Sequence, residues 1–276
     1  MDSIKSELNG SDRDKNPSLT DGEEIRFYIL DIGQGDAILV TSPDGNMLID
    51  TSISSQRDEL VGYLEEFDVT VIDYLVLTHT DADHIGNADY IINNYEVSNI
   101  LLPDYETDTK TYLRMIEAIE NSDANVIEFE IGYTFYIGEL VNTVLAPVDE
   151  YDDANEMSIV IKSVYGETSV MLTGDAEHKS EEDVVDYWDE DILDCDILKV
   201  GHHGSRTSST DEFLEAVTPE IAIISCGIDN VYGHPHTETI QKLEEADIRT
   251  YVTYEDGTVV IVTDGILYEI NTIPSD

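Results

Sequence analysis

One short segment, THTDADH at residues 78–84, contains two histidines and two aspartates. The segment follows an apolar, strand-like run and precedes a helical pattern, so a loop there can turn alternate side chains into one cavity. Imidazole and carboxylate groups are ordinary ligands of divalent cations. A helix-capping role for Asp83 would leave both histidines unexplained, in a chain that has only 7. The segment therefore predicts a metal site with the candidate ligands His79, Asp81, Asp83 and His84.

Three further segments place reactive side chains at the ends of predicted strands. Residues 172–175 read LTGD, residues 199–205 read KVGHHGS, and residues 232–236 read YGHPH. Sites in α/β proteins gather where several strands end, so these segments are expected to meet the first one. Asp175 taken alone fits an ordinary turn, whereas the glycines that flank the two histidines of KVGHHGS let the backbone approach a ligand.

The elements that must position these segments alternate between strand-like and helix-like patterns from Ile25 onward. Strands are predicted at 25–30, 37–41, 47–49, 71–78, 100–102, near 126, 158–164, 168–173, 195–200, 221–225, 250–253, 258–263 and 266–270. Helices are predicted at 56–66, 84–93, 111–121, 209–217 and 237–246, and a capping box at 180–183 is expected to precede another helix. The strand and helix patterns fall into two similar halves along the chain. Such an arrangement favours an α/β fold with two sheets packed face to face and helices outside. No linker interrupts the pattern, so residues 23–276 are predicted to form one domain.

The chain is extremely acidic, which limits both the salt conditions that suit it and the partners that it can bind. Its 276 residues include 61 Asp and Glu against 13 Lys and Arg, a formal net charge of −48. Hydrophobic residues make up 41%, enough to build a core, so this charge does not imply disorder. Self-repulsion of this size fits molar salt, where the Debye length is ~3 Å, and it predicts a salt-loving cytoplasm. It argues against a basic groove for nucleic acid, but a nucleic-acid substrate held locally by metal ions remains compatible.

The apolar runs and the N-terminal segment indicate a soluble, cytoplasmic protein without membrane insertion of its own. No run approaches the ~18–20 apolar residues of a membrane helix, and the N-terminus lacks the apolar core of a signal peptide. Residues 1–22 are polar and aperiodic and are predicted to be a disordered tail. Cys195 and Cys226 are too few for a disulfide framework and are expected to be reduced core residues.

Taken together and in this order, the motifs resemble the metallo-β-lactamase superfamily, and in particular the soluble hydrolase domain attached to ComEC-type DNA-uptake proteins. The matching stretches are LDIGQGDA at 30–37, LIDT at 48–51, and the segments 79–86, 155–160, 172–177, 198–205 and 232–236. The resemblance implies a four-layer αββα sandwich. It is less specific for the substrate, because the superfamily hydrolyses lactams, thioesters and phosphodiesters.

The resemblance also assigns roles to individual side chains. It makes His79, Asp83 and His84 metal ligands and makes Asp175 a bridge between two ions. His203 is preferred over His202 as the ligand that completes the second ion's site, because a small Gly-Ser pair follows it. Asp31, Asp36 and Asp50 are expected to support the site. For Asp50, orienting a ligand histidine and stabilising a turn are equally good interpretations.

Two departures from the superfamily pattern affect the cofactor. Asp81 stands where many members have a histidine, as it does in ComEC-type domains. The histidine expected before the strand at 158 is absent, and Asn155 and Ser158 occupy that region. Oxygen ligands in place of imidazoles favour Mn²⁺ or Mg²⁺ relative to Zn²⁺. The expectation is a divalent cofactor of one or two ions, Zn²⁺ or Mn²⁺ with Mg²⁺ as a third candidate.

The predicted chemistry is hydrolysis of a phosphodiester by metal-activated water, with DNA as the leading substrate. Asp83 and His234 are the candidate catalytic residues, and either His234 or His236 would donate a proton to the leaving oxygen or hold a phosphate. The remaining candidates offer N–H groups, a hydroxyl and one of the few cations of the chain. These predicted substrate-binding residues are His202, Ser205, Arg206 and His236.

Two other functions stay open at this point. One is a small-molecule phosphodiesterase or esterase, which would need a narrow pocket. The other is a non-catalytic partner module that holds a metal only structurally, an interpretation supported by the missing histidine. Structural sites are normally closed and four-coordinate, whereas this sequence offers six or more candidate ligands, which favours catalysis. The expected partners are nucleic acid or a small phosphodiester and a separate membrane DNA-uptake channel.

Overall fold

A computed structural model describes residues 24–275, so the predicted tail at 1–22 lies outside the described residues. The strands in chain order are β1 (Ile25–Ile29), β2 (Ile38–Ser42), β3 (Gly45–Ile49), β4 (Val71–Val76), β5 (Glu96–Leu101), β6 (Asn125–Ile127), β7 (Thr134–Ile137), β8 (Leu140–Ala146), β9 (Val160–Tyr165), β10 (Thr168–Leu172), β11 (Ile197–Lys199), β12 (Ile221–Ile224), β13 (Arg249–Val252), β14 (Thr258–Thr263) and β15 (Tyr268–Ile273). The helices are α1 (Arg57–Glu66), α2 (Ala82–Ile85), α3 (Ala88–Asn94), α4 (Lys110–Glu120), α5 (His178–Tyr187), α6 (Glu190–Leu193), α7 (Asp211–Val217), α8 (Thr237–Glu245) and α9 (Thr253–Asp256), with 3₁₀ turns at Ser54–Gln56 and Gly201–Gly204.

The strands form two mixed sheets. The first has the order β15-β14-β1-β2-β3-β4-β5-β6 and the second the order β13-β12-β11-β10-β9-β8-β7. Strands β3 to β6 run parallel in the first sheet, and β10 to β13 run parallel in the second. Parallel strands bring their carboxyl ends to the same edge of a sheet. The loops that follow β4, β10, β11 and β12, which carry the predicted site segments, therefore leave the two sheets at such edges.

Apolar side chains fill three layers between the elements. The space between the sheets holds side chains from both, among them Phe27 and Ile49 of the first sheet and Ile161 and Ile197 of the second. A second cluster lies between the first sheet and helices α1 to α4, and a third between the second sheet and helices α5 to α8. Covered on both faces, strands such as β12 and β14 are buried along their whole length. The layer order helix–sheet–sheet–helix confirms the predicted αββα sandwich.

The helix predicted at 84–93 is two helices, α2 and α3, with Gly86 and Asn87 between them. The Asn87 side-chain amide donates to two backbone oxygens of the segment 51–53, at 2.8 and 2.9 Å. A Cβ atom on Gly86 would lie 2.4 Å from the Ser52 carbonyl oxygen. This close approach fixes the break, because the helix is fastened at that point to the loop after β3.

The capping box predicted at 180–183 is wrong. Helix α5 already begins at His178, so these residues lie inside the helix rather than ahead of it. Glu181 is buried, and its carboxylate accepts hydrogen bonds from the backbone N–H groups of Ser209 and Thr210, at 2.6 and 2.8 Å. The side chain thus stabilises the start of α7 across the helical layer.

Two stretches of strand also differ from the prediction. The hairpin of β7 and β8 is absent from it, and β5 begins at Glu96 rather than near residue 100. The amino-terminal half of β5 alternates between exposed and half-buried residues and carries little apolar signal. Among residues 24–275, every helix is too short or too polar to span a bilayer.

Candidate metal centre

The loop after β4 carries His79 and His84 into the interior, where both rings are 0% exposed and their centroids lie 4.0 Å apart. Asp50, directly after β3, holds this loop: it accepts hydrogen bonds from the Thr78 amide and hydroxyl at 2.8 and 2.6 Å. The Asp50 carboxylate also lies 2.7 Å from His84 Nδ1. A carboxylate only accepts, so Nδ1 carries the hydrogen and Nε2 of His84 is left as the free ligand atom.

Three more candidate ligand groups lie close to His84 Nε2 or to its neighbour His203 Nε2. His84 Nε2 lies 3.3 Å from an Asp175 carboxylate oxygen and 3.3 Å from His203 Nε2. The second Asp175 oxygen lies 3.3 Å from His203 Nε2, and an Asp83 oxygen lies 3.6 Å from the same atom. The loops after β4, β10 and β11 thus bring two carboxylates and two imidazoles together, with Asp175 between the two rings.

The backbone at the histidine pair is in a conformation that few residues adopt. His202 has φ 47° and ψ 48°, and His203 has φ 54° and ψ 28°, both in the left-handed region. Such residues cost about 1–3 kcal/mol each and cluster at functional sites. The hydrogen bond from the His202 amide to the Gly174 carbonyl, 3.1 Å, ties this turn to the loop that carries Asp175. The two rings end up with different environments, His203 buried and His202 partly exposed.

A buried ion pair supports His203 from behind. Lys199 Nζ lies 2.8 Å from one oxygen of Asp36, and both side chains are 1% exposed. The other Asp36 oxygen lies 3.4 Å from His203 Nδ1, which also hydrogen-bonds the Ser225 carbonyl oxygen at 2.9 Å. These contacts keep Nε2 of His203 pointed at the centre. Burial alone would raise the pKa of Asp36, but Lys199 and His203 outweigh it and hold that pKa well below its usual range.

Electrostatics divide the histidines of the centre into two kinds. Burial, reinforced by His84, lowers the pKa of His79 to about 3, so this ring is neutral and free to bind a cation. Burial also opposes charge on His84 and His203, yet the Asp175 carboxylate outweighs it and holds the pKa of both rings well above the usual value. Because metal ligands must be deprotonated, a cation competes with protons here, and its binding weakens at low pH.

The donor atoms fit a divalent cation. In each of the groups His79–His84–Asp175, Asp83–His84–His203 and Asp36–Asp175–His203, the ligand atoms lie within 4.8 Å of one another. Among the described residues, His79 Nε2 and one oxygen of Asp175 are buried without a hydrogen-bond partner, although that oxygen lies 3.3 Å from His84 Nε2. Buried polar atoms nearly always have a partner, so these two orphaned atoms indicate a ligand. Imidazoles mixed with carboxylates suit Zn²⁺ and Mn²⁺, and a set this large accommodates one or two ions.

The structure brings together every predicted ligand except Asp81. That residue is the N-cap of α2, is exposed, and lies outside the groups of converging ligand atoms. In the region of the missing histidine, the Ser158 hydroxyl accepts a hydrogen bond from the Asp175 amide at 3.1 Å, and the Asn155 amide approaches Glu177 at 3.5 Å. These residues position the Asp175 loop.

Of the predicted substrate-binding residues, His202 lies nearest to the proposed ligands. His202 Nε2 lies 3.8 Å from Asp175, while its Nδ1 lies 2.8 Å from the Glu177 carboxylate, which fixes the ring orientation. Ser205 is buried, and its hydroxyl pairs with that of Thr207 at 2.8 Å. Glu177 was missed by sequence reasoning, although its place two residues after Asp175 was a usable signal.

The segment before α8 lies beside His202. The His234 ring lies 5.3 Å from the His202 ring and 6.2 Å from the His203 ring, measured between centroids. Burial and the neighbouring histidines lower the pKa of His234 to about 4, so this ring is neutral at neutral pH. His236 Nδ1 accepts a hydrogen bond from the Arg206 amide at 3.0 Å, and the exposed Arg206 guanidinium lies 4.0 Å from the Glu238 carboxylate.

Lys199 and Ser225 are the other functional residues that the sequence did not reveal. Lys199 is a charged residue inside the otherwise apolar strand β11, which is an unusual position that signals a paired buried charge. Ser225 acts through its backbone oxygen, and no side-chain pattern could indicate that contact.

Comparison with known proteins agrees with this geometry. The sequence model described as the Metallo-beta-lactamase superfamily matches residues 30–228. Curated relatives are ComE operon protein 3 of Bacillus subtilis (strain 168), 33% identical over 262 residues, and Competence protein ComA of Neisseria gonorrhoeae, 30% identical over 230 residues. The matches cover 88% and 82% of this chain but 33% and 30% of those proteins. The chain therefore spans about a third of the length of these relatives.

Solved structures share the fold at low sequence identity. The metallo-beta-lactamase fold protein YhfI from Bacillus subtilis matches with a TM-score of 0.58 and 13% identity, over 88% of this chain and 100% of that chain. CmlA, a diiron beta-hydroxylase from Streptomyces venezuelae, matches with a TM-score of 0.56 and 13% identity, over 94% and 55% of the two chains. Such likeness shows the fold alone. With its sequence match across most of the described residues and its cluster of histidines and aspartates at the strand ends, the chain belongs to the metallo-beta-lactamase superfamily.

Proposed function

We propose that this chain is a metal-dependent hydrolase of phosphodiesters and that its substrate is DNA. The observation that carries the proposal is the convergence of His79, Asp83, His84, Asp175 and His203 on one centre, with orphaned ligand atoms on two of them. The names of its relatives, a competence protein and a competence-operon protein, support DNA as the substrate. A separate membrane DNA-uptake channel is the partner that we propose on the same support, with the cytoplasm as the compartment.

Four of the five proposed ligands are buried, and the fifth, Asp83, is partly exposed. The Asp83 side chain is 24% exposed, whereas those of His84, Asp175 and His203 are at most 4% exposed. Burial would raise the pKa of Asp83, but His203 and His84 outweigh it and lower that pKa to about 2. Asp83 is therefore ionised at neutral pH and placed to accept the proton of an attacking water. A divalent ion held by these ligands would lower the pKa of water and stabilise negative charge on phosphate oxygens.

The groups that we propose to contact the phosphodiester are His234, His236, Arg206 and His202. The neutral His234 ring can donate one N–H to a phosphate oxygen, which suits its low pKa better than delivering a proton from a charged ring. In its neutral form His236 carries its hydrogen on Nε2, because Nδ1 already accepts from the Arg206 amide. Arg206 adds one exposed positive charge, and His202 lies deeper, beside Asp175.

The experiment is metal-supplemented hydrolysis in ~2–3 M KCl, a salt level suited to the acidic surface. Single-stranded DNA, duplex DNA and bis-p-nitrophenyl phosphate are offered with Mn²⁺, Mg²⁺ and Zn²⁺ in turn. The wild type is compared with the double variant His79→Ala, Asp83→Ala. Loss of DNA cleavage in the variant, with its fold retained by circular dichroism, supports the nuclease.

The other outcomes lead to the other functions. Cleavage of the small diester without cleavage of DNA would identify a small-molecule phosphodiesterase. A folded wild type that hydrolyses neither substrate with any of the three ions would overturn the enzyme proposal and leave a metal-binding partner module.

A further inference from the structure

An exposed apolar tip stands beside the entrance of the metal centre. Among the described residues, nine large apolar side chains are exposed, and three of them fall within five consecutive positions of the chain: Ile228 at 72%, Val231 at 93% and Tyr232 at 60%. All three belong to the loop between β12 and α8. Contiguous exposed apolar groups on a soluble protein mark interaction sites. On a surface rich in carboxylates, three exposed apolar side chains in one loop favour an interaction site.

The loop presents these side chains in a fixed arrangement. The Asn230 amide donates to the Gly227 and His234 carbonyl oxygens at 2.9 and 2.6 Å, and its oxygen accepts from the His234 amide at 2.9 Å. The His236 amide hydrogen-bonds the Gly204 carbonyl at 2.9 Å, directly after the metal-binding turn. The loop is therefore held by the hydrogen bonds of its own Asn230 and, at its carboxyl-terminal end, by a hydrogen bond to the turn that carries His202 and His203.

Aromatic rings connect the tip to the ligands. The Tyr232 ring stacks on the His234 ring, with centroids 5.6 Å apart and planes 23° apart. The His234 ring in turn lies 6.2 Å from the ring of His203, at an angle of 29°. A flat group stacked on Tyr232 would thus be linked to the centre through two ring contacts, from Tyr232 to His234 and from His234 to His203.

Charge explains why stacking suits this protein. With 13 Lys and Arg in the whole chain, few cations are available to hold a nucleic-acid backbone, and molar salt screens those that exist. Stacking between bases and aromatic side chains does not depend on charge, and every base offers the necessary flat face. That face is free only when the base is unpaired, because a duplex covers both faces of its bases.

We propose that Tyr232, in one loop with Val231 and Ile228, is a stacking platform for an unpaired base of the strand being cleaved, which makes single-stranded DNA the preferred substrate. This inference rests on the proposed nuclease function and extends it to strand preference. Tyr232 is a specificity-determining residue in this account, and the phosphate chemistry belongs to the centre below it.

The test compares Tyr232→Ala with Tyr232→Phe, which keeps the ring, and with Tyr136→Ala. Tyr136 is a matched control, because it is also 60% exposed and lies on the edge strand β7.

Each protein is assayed on a single-stranded oligonucleotide and on an abasic oligomer of the same length, which keeps the phosphodiesters but lacks bases. We expect Tyr232→Ala to raise KM about tenfold on the normal oligonucleotide and to leave kcat and the abasic substrate unchanged. Tyr232→Phe and Tyr136→Ala should behave like the wild type.

Two results would overturn the platform: an unchanged KM in Tyr232→Ala, or an equal loss of kcat on both substrates, which would mean that Tyr232 only supports His234. A binding readout separates this inference from the nuclease proposal. In a Trp188→Phe background, Tyr232→Trp places a single indole at the tip, and single-stranded DNA should quench its fluorescence while the abasic oligomer does not. Quenching in a protein that cleaves no DNA would sustain the platform without the nuclease, and its absence would contradict the platform whatever the activity.

Discussion

Asp50 decides which nitrogen of His84 is available to a metal ion. It accepts the Nδ1 hydrogen of His84 at 2.7 Å while two groups of Thr78 hold it in place. The carboxylate is fully buried, so no water can substitute for it. Partners of this kind fix the tautomer and the orientation of a ligand histidine and raise its basicity.

Asp50→Asn is expected to weaken binding of Mn²⁺ or Zn²⁺ by about 10–100-fold, because the amide replaces a charged acceptor with a weaker one. Isothermal titration calorimetry on the metal-free protein measures the affinity directly. Asp104→Asn, an exposed aspartate outside the centre, removes the same charge as a control. Equal affinities in Asp50→Asn and the wild type would show that His84 does not depend on this carboxylate.

The sequence indicated the candidate ligands that are close along the chain, and not the contacts that form only in space. His79, Asp83 and His84 fall within six residues, so their common role is readable from the motif. The contact of Lys199 with Asp36 joins residues 163 positions apart, and side-chain type alone cannot indicate which buried charge it pairs with. Folding brings such partners together, and the pattern of one strand holds no information about them.

At the scale of elements, the loop between β1 and β2 must pass very close to α2. Gly35 has φ +116°, and a Cβ atom there would lie 2.3 Å from the Asp83 carbonyl oxygen. The Asp36 amide hydrogen-bonds that same oxygen at 3.2 Å. The glycine therefore lets one loop carry Asp36 while it supports the helix that carries the proposed ligands Asp83 and His84.

Gly35→Ala should lower the free energy of unfolding by at least about 2 kcal/mol, from backbone strain together with a clash that neither backbone can relieve. It should also weaken metal binding, because α2 must shift. Gly62→Ala is the control: that glycine lies in α1 with nothing within 4 Å, and alanine should stabilise the helix by up to about 1 kcal/mol. Denaturant unfolding checks both values, and similar stabilities for the two variants would contradict the close approach.

Element types were predictable where apolar periodicity was strong, and boundaries were not. The break between α2 and α3 depends on the contact of Gly86 with a distant loop, so the periodic apolar face appeared continuous through it. The hairpin of β7 and β8 turns at Gly138-Glu139, where a glycine at the first central position suits a two-residue turn but is a weaker sequence signal than Asn-Gly or Asp-Gly. The αββα order itself followed from the alternation of strands and helices, because two apolar sheet faces can be buried together only in a few ways.

For the whole molecule, the net charge of −48 makes stability depend on salt. Lowering KCl from about 2 M to about 0.1 M lengthens the Debye length from below 3 Å to about 10 Å, so carboxylates that were screened repel one another. For a domain of this size, the Tm falls by about 2–4 °C for each kcal/mol of unfolding free energy that is lost. A loss of several kcal/mol would therefore lower the Tm by roughly 10 °C. Thermal unfolding followed by circular dichroism measures the shift. If sucrose restored the Tm at low salt as fully as KCl does, screening of charge would not be its cause.

The central claim is that ions held between Asp175 and its neighbouring histidines enable cleavage of DNA. The most direct measurement removes all metal with a chelator and then follows cleavage of single-stranded DNA in high salt while Mn²⁺ or Zn²⁺ is returned stepwise and bound metal is counted. In the wild type we expect cleavage to fall by at least about a hundredfold on chelation and to return in proportion to bound ions. Asp175→Asn should bind less metal and stay inactive. Cleavage that persists in the metal-free protein, or that is undiminished in Asp175→Asn, would contradict the account.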